Sequence, residues 1–130
     1  MKDHSIDIQE ALGLAIKYHQ SGRLEEAGSI YQQILKISPN NIDALHLLGI
    51  LAYGLKEFES AAELINKAAQ LNPGYAEAHY NLGKVYHEQG RLDDAIDSYQ
   101  RAITINPGYS EAKNNLGNAF LEQGRLDDAI

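Results

Sequence analysis

Five histidines, His4, His19, His46, His79 and His87, are the side chains of this chain best suited to acid-base or metal chemistry. No two of them share the i, i+4 spacing that sets paired ligands on one helical face, and a zinc site needs several such donors converging. The expectation is therefore that they are solvated or face a bound partner. Carboxylate pairs recur as Glu25-Glu26, Asp93-Asp94 and Asp127-Asp128. Acidic residues favour the positive start of a helix, so these pairs are assigned to helix starts and not to general acid-base work. The absence of cysteine removes disulfides, thiolate zinc sites and cysteine nucleophiles together. The glycines stand singly and build no cradle for phosphate. No enzyme activity, metal or cofactor is expected of these residues.

What positions the remaining side chains is a repeat. Pro39, Pro73 and Pro107 stand 34 residues apart, and the residues between them recur in step. A leader of residues 1–7 precedes units at 8–41, 42–75 and 76–109, and 110–130 form a truncated fourth. Numbering each unit from 1, position 7 is Leu14, Leu48, Leu82 and Leu116. Position 8 is Ala15, Gly49, Gly83 and Gly117, and position 20 is Ala27, Ala61, Ala95 and Ala129, so both stay small. Position 11 is Tyr18, Ala52, Tyr86 and Phe120, and position 24 is Tyr31, Ile65 and Tyr99.

Positions 4, 7, 8 and 11 have helical spacing, as do 17, 20, 24 and 27, which predicts two amphipathic helices per unit, A and B, each turning a stripe toward the other. A glycine inside a helix costs roughly 1 kcal/mol against alanine, so Gly49, Gly83 and Gly117 require a close approach of helix B in compensation. Gly22, Gly90 and Gly124 fall where helix A should end, as caps tolerant of positive φ. Lys56 replaces that glycine in the second unit, which predicts a less regular turn. Asp7 followed by Glu10 has the form of a capping box for the first helix.

This pattern resembles the tetratricopeptide repeat family over all but the first seven residues. The resemblance implies an all-α fold, a right-handed superhelical solenoid of antiparallel helix-turn-helix hairpins. In that family, positions 2, 5, 9 and 12 of helix A line a concave groove that holds a peptide or a partner's helix. Carried over, the groove comprises Gln9, Leu12, Ile16 and His19, then Asp43, His46, Ile50 and Tyr53. The third unit supplies Glu77, Tyr80, Lys84 and His87, and the fourth Glu111, Asn114, Asn118 and Leu121. Several family members hold the terminal carboxylate of chaperone peptides with lysine and asparagine from this face. The first unit has no lysine here, so that clamp is not expected.

A narrower resemblance concerns Asn81 and Asn115, at position 6 in Asn81-Leu82-Gly83 and Asn115-Leu116-Gly117. Asparagines at this position in the repeats of O-linked N-acetylglucosamine transferases form a ladder along a bound peptide backbone, and an amide both donates and accepts. Gly13 and Leu47 break the ladder in the first two units. Tyr31-Gln32-Gln33-Ile34-Leu35 and Ala44-Leu45-His46-Leu47-Leu48-Gly49 resemble the start of large bacterial proteins in which such repeats precede a glycosyltransferase domain. The alternative reading is then a substrate-docking arm. Since neither asparagine belongs to the apolar stripe, replacing both is expected to leave the fold intact.

Eighteen acidic against eleven basic residues give a formal charge of −7, which excludes nucleic acid as the main partner because phosphate neutralisation needs clustered Lys and Arg. The tyrosines are accordingly read as interhelical packing and not as a platform for bases. No apolar run is long enough to insert in a membrane, and Met1 to Asp7 lack the pattern of a signal peptide, which predicts a cytoplasmic protein. Residues 74–96 and 108–130 are identical at 16 of 23 positions, with no drift toward a polar capping helix. The chain is read as an N-terminal fragment of a longer array. Its open end is expected to self-associate through Leu116, Phe120, Ala129 and Ile130.

Overall fold

The computed structural model describes residues 7–129 and their side chains as far as Arg125. His4, Ile130 and the side chains of Leu126, Asp127, Asp128 and Ala129 lie outside that description. Seven helices follow one another: α1 (Ile8–Gln20), α2 (Leu24–Ile37), α3 (Ile42–Gly54), α4 (Phe58–Leu71), α5 (Ala76–Glu88), α6 (Leu92–Ile105) and α7 (Ser110–Ala129). α1 with α2, α3 with α4 and α5 with α6 form helical hairpins, and each hairpin packs onto the next. Among the described residues there is no strand and no helix long and apolar enough to cross a membrane.

Packing follows the predicted stripes. From the second helices Ala27, Tyr31 and Ile34, then Ala61, Ile65 and Ala68, then Ala95, Tyr99 and Ala102 are all buried. Full burial of an Ile or comparable apolar side chain stabilises by about 1.5–3 kcal/mol, so these stripes, and not helix propensity, hold each hairpin closed. The anticipated close approach is found at Gly49 and Gly83 but not at Gly117, where an added Cβ would meet nothing within 4 Å. A Cβ added to Gly83 would lie 2.5 Å from Tyr99 Cε1, and one on Gly49 would collide with the Ile65 side chain. The glycines admit a large side chain from helix B, which offsets their poor helix propensity.

The caps also follow local chemistry. Asp7 Oδ1 accepts from the amides of Gln9 at 3.1 Å and Glu10 at 3.3 Å, and Asn41 Oδ1 accepts from the Ala44 amide at 2.9 Å. Gly22 and Gly90 adopt φ of 80° and 75°, letting Arg23 N donate to Tyr18 O at 2.8 Å and Arg91 N to Tyr86 O at 2.9 Å. The second turn corrects an expectation. Lys56 takes φ 64° and Glu57 N donates to Ala52 O at 2.9 Å, so the turn is as regular as its neighbours. The bond pattern is shared by all three turns, and the lysine accepts the left-handed backbone at a cost of roughly 1–2 kcal/mol.

Two further expectations are corrected at the ends of the stack. Leu14 is 47% exposed although it lies on the stripe. In the second unit Leu48 packs against the cluster that holds Ala27 and Tyr31 of α2, and no described element precedes α1 to do the same for Leu14. Gly124 does not cap a helix, because α7 runs through it unbroken. The turn at Gly22 or Gly90 is held by a following 14-residue helix packed back on its partner.

Candidate functional site

Consecutive first helices touch, α3 with α5 and α5 with α7, whereas α4 and α6 make no comparable contact. The faces of these first helices that turn away from the second helices make up the inner surface. Gln9, Asp43, Glu77, Glu111, Asn114, Asn118 and Leu121 are exposed there. Ile16, His19, Ile50, Tyr53, Tyr80, Asn81, Lys84, His87 and Asn115 are half-buried among them. Their spacing sets these side chains on one face of each first helix.

Two residues assigned to the groove are instead beneath it. Leu12 is buried in one apolar cluster with Ala15, Tyr31 and Ala44. His46 is only 1% exposed, with both ring nitrogens engaged. Asn81 Nδ2 donates to His46 Nε2 at 2.9 Å, and Nδ1 meets the Tyr75 hydroxyl at 2.7 Å. With Nε2 accepting, the neutral ring donates its Nδ1 proton to Tyr75. Burial lowers the His46 pKa below its usual value, more strongly than Glu77 and Asp43 raise it. His79 is buried as well and donates from Nε2 to Pro73 O at 3.0 Å. The expectation of solvated or partner-facing histidines is thus wrong for His46 and His79, which satisfy internal acceptors and donors. Among the described residues no cluster of His, Asp and Glu has the arrangement of a metal site.

The inner surface is tied together by bonds between neighbouring units. Asn81 to His46, Asn115 Nδ2 to Tyr80 Oη at 3.3 Å and His87 Nε2 to Glu122 Oε1 at 2.9 Å each link residues 35 apart. Both position-6 asparagines therefore commit one amide N–H inside the array. The expectation that removing them leaves the fold untouched is corrected, since Asn81 satisfies a buried ring. The bonds stitch α3 to α5 and α5 to α7 into one surface.

Aromatic rings pave the surface between these bonds. Tyr75 packs against His46 with centroids 4.7 Å apart, and Tyr109 against Tyr80 at 5.0 Å. Lys84 Nζ lies 5.2 Å from the Tyr53 ring centre and 5.3 Å from that of Tyr80. Burial pushes the Tyr75 and Tyr109 phenols up to about 12, with neighbouring carboxylates adding to the effect. Tyr99 is raised further by burial, and its hydroxyl sits 3.4 Å from His87 Nδ1. Tyr75, Tyr109 and Glu122 were absent from the sequence-derived groove. The recurrence of tyrosine at position 34 in two units was the available signal for the first two.

Sequence models of the tetratricopeptide repeat match residues 18–69, 46–110 and 98–130. Among solved structures, MamA superposes with a TM-score of 0.87 at 29% identity, over 95% of this chain and 72% of MamA. An O-GlcNAc transferase of Thermobaculum terrenum superposes with a TM-score of 0.81 at 35% identity, over 86% of this chain. The match spans only 22% of that transferase. The first such repeat domain of Spaghetti (RPAP3), bound to the HSP90 peptide SRMEEVD, gives a TM-score of 0.86 at 25% identity, over 94% of this chain and 99% of that one. No curated protein sequence matches the chain significantly.

Proposed function

This chain belongs to the tetratricopeptide repeat family, and from that membership we propose that it is an interaction module whose inner surface holds a protein segment. The observation that carries the reading is the bonding of α3, α5 and α7 into one surface, which leaves exposed and half-buried polar and aromatic groups facing the same way. A surface of this kind binds without reorganising, so little of the interaction energy is lost to ordering the protein. A repeat domain of similar fold is known with a peptide bound. The present groove departs from what a peptide such as SRMEEVD requires, because Asp43, Glu77 and Glu111 line it and Lys84 is already engaged by two rings.

The test is a peptide library panned against the protein, with hits titrated by calorimetry against two variants. Tyr53→Ala, on the inner surface, is expected to weaken each hit, while Glu25→Ala with Glu26→Ala on α2 leaves affinity unchanged. Equal losses in both would place the site on the outer side. The second reading, a substrate-docking arm of a larger glycosyltransferase, is favoured by the 35% identity to the transferase repeats and by Asn81-Leu82-Gly83 and Asn115-Leu116-Gly117. Sequencing the parent gene beyond codon 130 tests it, and a reading frame without a transferase domain would reject it.

A further inference from the structure

One edge of the inner surface carries an alternation of carboxylates and tyrosine rings. Position 2 supplies Asp43, Glu77 and Glu111, all exposed, and position 34 supplies Tyr75 and Tyr109, both half-buried. Tyr75 packs on His46, one helical turn from Asp43, and precedes Glu77 by two residues, while Tyr109 packs on Tyr80, one turn from Glu77, and precedes Glu111 by two. The order along the edge is therefore carboxylate, ring, carboxylate, ring, carboxylate. None of these three carboxylates is paired with a cation of the chain among the described ion pairs.

Resting on the groove reading above, we propose that this edge selects an extended partner segment bearing Arg or Lys at every third residue. Each cation would sit against a carboxylate and the face or rim of the adjacent tyrosine, its charge paired with the first and its guanidinium plane or ammonium attracted to the second. The spacing comes from the fold. Packed helices lie roughly 8–10 Å apart, and a segment in the extended polyproline II form advances roughly 3.1 Å per residue with three residues per turn, so residues i and i+3 share one face and meet neighbouring carboxylates. The molecule already shows the chemistry once in its own groove, where Lys84 lies between the rings of Tyr53 and Tyr80. The formal charge of −7 draws the same class of partner from a distance.

The probe is a fluorescent peptide, Arg-Ser-Ser-Arg-Ser-Ser-Arg with blocked ends, titrated at low and at 0.5 M salt by anisotropy. It is compared with its glutamate counterpart and with a peptide carrying the three arginines in succession. The spaced peptide is expected to bind tightest, and the Asp43→Asn, Glu77→Gln, Glu111→Gln triple variant to bind it roughly ten- to a hundredfold more weakly, the product of three partly screened pairs with aromatic support. High salt should reduce the difference. Circular dichroism of the variant checks the fold, which exposed isosteric changes leave in place. Equal binding of the glutamate peptide, or undiminished binding by the triple variant, would overturn the proposal. Tighter binding by a helical peptide with cations at i and i+7 would overturn the extended conformation. Library hits that need Tyr53 but ignore the triple variant would leave the groove reading standing and sink this one alone.

Discussion

Asn81 donates its amide to the buried ring of His46 across the boundary between two repeats, at 2.9 Å. One unit further on, Asn115 makes the corresponding bond to the Tyr80 hydroxyl at 3.3 Å. Asn81 and Asn115 are thus joints of the array before they are contacts for anything else. Asn81→Ala leaves a buried nitrogen without its partner and is expected to destabilise the protein by about 1–3 kcal/mol. Asn115→Ala, whose partner is half-buried, should cost less. Urea unfolding of the two single variants decides the order, and equal midpoints would show that the His46 bond contributes nothing special.

The two joints differ in acid sensitivity. Burial lowers the His46 pKa, so the unfolded chain binds a proton more readily than the folded one. Stability from this residue is fully present above its ordinary value of 6.5 and is lost as pH falls below it. Tyr80 fills the same position one unit later, with Asn115 and Tyr109 in place of Asn81 and Tyr75. His46→Tyr is therefore expected to keep the joint while removing part of the decline in stability between pH 6.5 and pH 5. Thermal unfolding across that range measures it, and an unchanged pH slope would refute the assignment.

Gly83 and Gly117 occupy one repeat position but opposite environments. A Cβ on Gly83 meets Tyr99, whereas one on Gly117 meets nothing within 4 Å. Gly83→Leu should destabilise by about 1–3 kcal/mol through overpacking despite better helix propensity. Gly117→Ala should stabilise by roughly 0.5–1 kcal/mol, since only the propensity gain remains. Melting temperatures moving in the same direction for both would mean that helix contact at Gly83 is not what selects glycine.

Phe120 and Leu121 are 47% and 60% exposed on α7, beside half-buried Leu116. Such a face favours association of copies, and sedimentation should show a concentration-dependent increase in mass. Phe120→Glu should abolish it. A wild-type protein that stays monomeric at high concentration would contradict the expectation.

The 34-residue period, read with helical spacing, was enough to determine the hairpins, the buried stripe of each second helix and the tight crossings at Gly49 and Gly83. These features are local, because spacing along a helix defines an angle about its own axis. It was not enough to tell which groove-side residues sink below the surface. Leu12 and His46 are equivalent in phase to Tyr80 and Asn114, yet the first two are buried and the last is exposed. Depth at that position depends on side chains 29 and 35 residues later, Tyr75 and Asn81 in the case of His46, brought together only when hairpins stack. The unbroken α7 and the exposed Leu14 have the same origin. A sequence repeat specifies each unit alike, while burial at a given unit is decided by which neighbours are packed against it.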